Sequence, residues 1–200
     1  MAERGMVRQP VLAGTSHWLE GRRTSALIGV GAFVIMTALG AHVRIPLPWT
    51  PVPLTLQTLF VVLAGATLGP ALGPVSQGLY LVGGTLGLPV FAGGTGGVPY
   101  LLRGATTGYL LGFVAAAALV GWLIRRSPHP GFGWTLFSMA AGSLVIYACG
   151  ASWLLWSLHL DPADAVAQGV LPFLAGDVVK TCAAAGLFRG YRRCARRAFP

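Results

Sequence analysis

The sequence predicts an all-α integral membrane protein with six transmembrane helices, and three observations carry that expectation. Apolar side chains make up 54% of the 200 residues, only 10% are charged, and mean hydropathy is +0.69, whereas a soluble domain carries about 25% charge. The apolar residues gather into six runs separated by Pro- and Gly-rich breaks. The basic residues flank those runs: Arg4, Arg8, Arg22 and Arg23 precede the first, Arg125 and Arg126 stand midway, and Arg189, Arg192, Arg193, Arg196 and Arg197 close the chain. That placement fits the positive-inside pattern, so the net charge of +9 points to a membrane and not to nucleic acid. Attraction of the basic tail to anionic lipid is a further consequence.

The first run, Ser25 to Val43, is long enough to span at about 1.5 Å per residue. Residues 46–53 then hold four prolines, which remove donors and lock φ, so an extended loop is expected. The second run is Leu54–Leu68 and the third Val75–Leu88, parted by Gly69–Pro74; both are short for a span, which keeps a five-span alternative open. A Gly-rich loop covers Pro89–Gly104. The remaining runs are Ala105–Ile124, Trp134–Leu158 and Val170–Phe188. Between the last two, Asp161, Pro162 and Asp164 read as an N-cap, a proline at N1 and an acid in the first turn of a short surface helix.

Three divisions follow: a basic cytoplasmic N-terminal segment over 1–24, a six-helix membrane domain over 25–190, and a basic cytoplasmic tail over 191–200. The 125–133 loop joins both termini on the cytoplasmic side, while the 44–53, 89–104 and 159–169 loops face outward. Aromatic residues agree, with Trp18, Trp122, Trp134 and Tyr191 near the inner boundary and Trp49, Trp153 and Trp156 near the outer.

Several chemistries lack their signatures. The stretch Gly176–Thr181 lacks the glycines of a phosphate cradle, so uphill transport driven by ATP would need another subunit. Gly73–Gly78 has one residue too many for a GxSxG elbow, and Ser76 reads as a packing residue. His42, His129 and His159 form no metal-binding motif, and Cys149, Cys182 and Cys194 form no CxxC. The glycines of Gly93–Gly97 read as loop turns.

Asp177 and Lys180 stand out because they lie inside the sixth apolar run, on one helix face. Each would cost about 2.5–3.5 kcal/mol at a lipid-exposed helix centre. They are therefore expected to face the bundle interior and meet each other or a polar ligand, as a functional site or as a structural lock. Arg103, at the end of the Gly-rich loop, either grips a carboxylate in bidentate fashion or rests among headgroups. Arg44 reads as a helix-end anchor. Trp49, Phe91 and Tyr100 are candidates for apolar walls around a small molecule, with the interfacial belt as the alternative for Trp49. Gln57 is an amide that needs a partner, in packing or in a ligand.

These residues resemble the BioY family, the biotin-specific S components of energy-coupling factor (ECF) transporters. The resemblance rests on the run from Arg44 to Thr58, on Gly83–Gly97 with Leu88–Gly94, on Thr107–Phe113, and on Pro172–Lys180, which is similar to the family's P-x-x-x-G-D-x-x-K. It covers residues 25–190; Ala105–Tyr109 departs from the family's usual Pro-Thr-Gly-Gly-Tyr. It implies the S-component fold and a substrate-binding subunit rather than an enzyme. Biotin would be the transported ligand, with no cofactor. The implied partners are a transmembrane coupling subunit and a pair of cytosolic ABC-type ATPases in the plasma membrane. Carried over by motif, Asp177 and Lys180 would sit in the biotin pocket, with Arg103 a candidate charged contact. S components for other vitamins, or an intramembrane hydrolase using Ser76, are the alternatives. Ser25, Gly29 and Ala32 form a small-residue stripe on helix one that suits either docking of the coupling subunit or packing within the chain.

Overall fold

The structure, a computed structural model, describes residues 13–198, with side chains over 24–193. Trp18, Arg4, Arg8, Arg22, Arg23, Arg196 and Arg197 therefore have side chains outside the described residues. Seven helices and one two-stranded hairpin follow in the order α1 (Ala13–His42), β1 (Arg44–Ile45), β2 (Leu54–Thr55), α2 (Gln57–Thr85), α3 (Val98–Arg103), α4 (Thr107–Arg126), α5 (Phe132–Ser157), α6 (Pro162–Gly169) and α7 (Leu171–Ala198). Of the two basic segments expected at the ends, residues 13–24 lie within α1 and residues 191–198 within α7, and residues 1–12 lie outside the described residues.

Among the described residues, five helices are long and apolar enough, by length and composition, to cross a bilayer: α1, α2, α4, α5 and α7. The six expected runs are reconciled with these five by a break inside α2. Gly69 has φ 84° and ψ −175°, a conformation open to glycine alone, and Pro70 follows it without a donor for the preceding turn. The chain reverses there. Gly73 returns so close to Gly65 that an added Cβ would stand 3.0 Å from the Gly65 Cα, and Gln57 and Tyr80, at the far ends of the two arms, share a hydrogen bond of 2.6 Å. Runs two and three are thus antiparallel arms over 57–68 and 70–85, roughly 18 and 24 Å long. They fall short of the ~30 Å hydrocarbon layer. The β1–β2 hairpin pairs Arg44 with Thr55 and Ile45 with Leu54 and leads into the first arm.

The α2 arms pack between α1 and α4, α5 lies on α4, and α7 closes the bundle against α2 and α5. Two clusters form the interior. One joins Phe91, Tyr109, Phe113, Ile146 and Phe173 toward the loop end, and the other joins Leu59, Val62, Met139, Ala184 and Phe188 toward the arginine end. The outer surface is the reverse of a soluble protein's: Leu27, Ile28, Ile35, Leu39, Leu144, Val178 and Val179 are all more than 60% exposed, as lipid-facing residues should be. Thr37, Ser76 and Gln77, buried between α1 and α2, satisfy one another through bonds of 3.2 to 3.4 Å. Ser76 donates to the Gly73 carbonyl at 2.7 Å and so packs as expected.

Gly29 is directed at Leu68 of α2, where an added Cβ would stand 2.9 Å from a Leu68 methyl. Its small size therefore serves contact within the chain, while Ser25 and Ala32 of the same stripe are exposed. The expected extended loop contains a short hairpin, and the Gly-rich loop contains α3, whose Pro99 stands in the first turn. The short helix after α5 forms as expected, with Pro162 at N1 and Asp164 in the first turn, although the Asp161 side chain makes no capping bond.

Candidate functional site

The sixth apolar run forms a helix because it is rich in Ala, Leu and Val without an interior proline after Pro172, and its Asp177 and Lys180 sit three residues apart on one face. That face turns inward. Asp177 is buried and Lys180 nearly so, and they form an ion pair through Asp177 Oδ1 and Lys180 Nζ. The pair is not isolated. Thr58 Oγ1 donates to Asp177 Oδ1 at 3.1 Å, Lys180 Nζ donates to Thr58 Oγ1 at 3.2 Å, and Tyr147 Oη donates to Asp177 Oδ2 at 2.6 Å. The carboxylate is therefore anchored from α2, α5 and α7 at once. Such anchoring offsets the desolvation of two charges, which pairing alone does not guarantee.

Asp177 and Lys180 form one end of a cavity with about 470 Å³ of empty space, mouth included. Thr55, Gln57 and Thr58 add polar groups at that end, and Val52, Leu110, Phe113, Ile146 and Phe173 add apolar walls. Gln57 is polarised on both sides: its Oε1 accepts from Thr55 at 3.2 Å, and its Nε2 donates to Tyr80 Oη at 2.6 Å. Tyr80 Oη in turn donates to the Val90 carbonyl at 2.9 Å, which ties the cavity's amide to the loop above it.

Of the residues singled out from the sequence, Asp177, Lys180 and Gln57 line the cavity. Phe91 stands behind it, fully buried, edge-on to Tyr80 and stacked on Tyr100 with ring centroids 5.5 Å apart. Tyr100 reaches the wall indirectly, through a 2.9 Å bond between its hydroxyl and that of the lining Thr106. Trp49, 63% exposed, and Arg103, at the exposed end of α3, are not among the lining residues. Sequence reasoning did not find Thr58, Thr106 or Tyr147. A hydroxyl inside an apolar run is the one signal Tyr147 offers, and it does not name a partner 30 residues away. Among the described residues, no group of three His, Cys, Asp or Glu side chains is placed to hold a metal.

A bundle that is apolar outside and holds one anchored charge pair in a partly open, largely apolar cavity defines a multi-pass membrane protein with an internal small-molecule site. Comparison with known proteins narrows that class. The BioY family model matches residues 11–197, and the chain belongs to the BioY family. It is 40% identical to the biotin transporter BioY of Thermotoga maritima over 159 residues, covering 80% of this chain and 90% of that protein. It is also 40% identical to the biotin transporter BioY of Rhodobacter capsulatus over 172 residues, covering 79% and 87% respectively. Its fold matches the crystal structure of the S-component for biotin from an ECF-type ABC transporter, with a TM-score of 0.81 and 25% identity over 86% of this chain and 93% of the other.

Proposed function

We propose that this chain is the biotin-binding S component of an ECF-type transporter, and the single observation that carries the reading is the anchored Asp177–Lys180 pair at the polar end of the cavity. Biotin has a neutral ureido ring with two N–H donors and one carbonyl acceptor, an apolar thioether ring and chain, and a terminal carboxylate. The pair carries no net charge, so it suits the neutral ring better than the anion. Asp177 accepts from a ureido N–H, and Lys180 donates to the ureido carbonyl. Phe113, Ile146 and Phe173 cover the apolar rings and chain. The carboxylate then lies toward the loop end, where Arg103, outside the cavity wall and three residues before the lining Thr106, would turn in across the mouth to meet it.

The loop end faces outside and the arginine end faces the cytoplasm, in accord with the positive-inside pattern. Biotin is captured from outside, and a transmembrane coupling subunit with two cytosolic ATPases supplies the free energy for accumulation, since binding alone only equilibrates a ligand with its site. Ala32, exposed on α1, is a contact point proposed for that coupling subunit.

Purified protein tests the reading with radiolabelled biotin and with biotin amide, which lacks the anionic tail. Saturable one-to-one retention of biotin without turnover is expected. Arg103→Gln should weaken biotin about ten- to hundredfold, as loss of a charged hydrogen bond does, and leave biotin amide unchanged. Absence of saturable biotin retention by folded protein would overturn the function. An equal effect of Arg103→Gln on both ligands would overturn the placement of the tail.

A further inference from the structure

At the end of the bundle opposite the loops, α7 emerges beside the α4–α5 turn, and His129, Pro130, Gly131, Arg189, Arg192 and Arg193 line a second cavity of about 590 Å³, open to solvent. Two of its arginines are held in place. The Arg189 guanidinium lies 5.9 Å from the Phe132 ring centroid, and that of Arg192 lies 5.8 Å from the Phe188 ring while donating to the Pro128 carbonyl at 3.4 Å. Both are half-buried rather than extended into water. Among the described residues, no carboxylate lines this cavity. Of the three acids with described side chains, Asp161 and Asp164 begin α6, and Asp177 is paired with Lys180. Three guanidinium groups gathered around one cavity repel one another unless an anion enters, and guanidinium forks match the oxygens of a phosphate.

The surroundings select the kind of anion. Phe132, next to the lining Gly131 and in contact with the Arg189 guanidinium, is 41% exposed. Trp134 donates its indole N–H to the Leu123 carbonyl at 3.0 Å, and the Arg126 guanidinium lies 4.1 Å over Trp122. Tryptophans and tyrosines at helix ends mark the headgroup level of a bilayer. A phosphate held there has the exposed Phe132 ring beside it to meet acyl chains. We propose that this cavity is a binding site for the phosphate headgroup of an anionic phospholipid, held by Arg189 and Arg192 at the junction of α7 with the α4–α5 turn. The lipid fastens the end of α7 to that turn and so braces the helix that carries Asp177 and Lys180.

The test uses the full chain in phosphatidylcholine nanodiscs titrated with phosphatidylglycerol, with retained lipid counted by mass spectrometry and thermal stability followed in parallel. One phosphatidylglycerol per chain is expected to bind saturably and to raise the melting temperature. Arg189→Gln and Arg192→Gln should each weaken its binding about fivefold, and the double variant about twenty-five-fold. Arg126→Gln, which removes the same charge at the same end but outside the cavity, should change it by less than about twofold. Retained binding of the ligand of the main cavity shows that each variant is folded. Undiminished lipid retention in the double variant overturns the site, as does an equal loss in Arg126→Gln. Equal stabilisation of detergent-solubilised protein by inorganic phosphate overturns the lipid assignment. Stabilisation only by an acidic coupling partner, with no saturable lipid, overturns it as well.

Discussion

Tyr147 holds the one carboxylate oxygen of Asp177 that neither Lys180 nor Thr58 takes, through a 2.6 Å bond from α5 to α7. With Oδ1 already shared, a ureido N–H in the proposed placement would approach Oδ2 in the direction Tyr147 leaves open, so the tyrosine sets the carboxylate's orientation without being a charged group itself. Tyr147→Phe keeps the ring and removes only the donor. Biotin affinity is expected to fall about tenfold, the weight of one bond to a charged group, with little change in melting temperature. Asp177→Asn removes the charge as well and leaves Lys180 uncompensated, so a larger loss of about ten- to hundredfold is expected. Isothermal titration of both variants is the measurement. An unaltered affinity in Tyr147→Phe would deny the tyrosine its positioning role, and an unaltered affinity in folded Asp177→Asn would make the pair a structural lock. The pair itself was legible in the sequence, because two charges in an apolar run must find partners. Thr58 and Tyr147 were not, because which neutral hydroxyls supply those partners depends on how α2 and α5 rotate against α7.

The α2 element shows why helix runs are easier to read than their joints. Both arms were visible as apolar runs, and their shortness was visible too. That the second arm reverses direction at Gly69 depends on a backbone conformation that glycine permits but does not require. The Arg125 side chain seals the turn: a Cβ on Gly69 would lie 2.5 Å from a guanidinium nitrogen. Gly69→Ala therefore meets both a backbone cost of about 1–3 kcal/mol and the displaced arginine. A fall in melting temperature of roughly 2–12 °C is expected from the backbone cost alone. Gly78→Ala is the contrast, since an added Cβ there meets nothing within 4 Å; replacement of a helical glycine should leave stability unchanged or slightly raised. Scanning calorimetry on the two variants separates the turn from a generic glycine effect, and equal melting temperatures would remove the special role of Gly69.

At the scale of the whole molecule, the distribution of charge predicts the orientation of the bundle, and labelling can check it. In a Cys-free background, single cysteines at Val98 and Ala163, both exposed at the loop end, should react with an impermeant thiol reagent added to intact cells. One at Ser127, in the α4–α5 turn, should react only once the membrane is opened. Reaction at 127 from outside would invert the orientation. Ala92 is a different reporter: it is buried and lines the main cavity, so a cysteine there should label slowly and be protected by biotin. The membrane class, the helical runs, the charge asymmetry and the Asp177–Lys180 pair were determined by the sequence alone, because each follows from what a bilayer refuses to solvate. Tertiary structure alone decided that Gly29 packs on Leu68, that Trp49 and Arg103 lie outside the cavity wall, and that Phe91 and Tyr100 act from behind it. It alone also placed Arg189 and Arg192 together against the α4–α5 turn. Those outcomes depend on helix rotation and loop placement, where many arrangements satisfy the same hydropathy and close packing selects one.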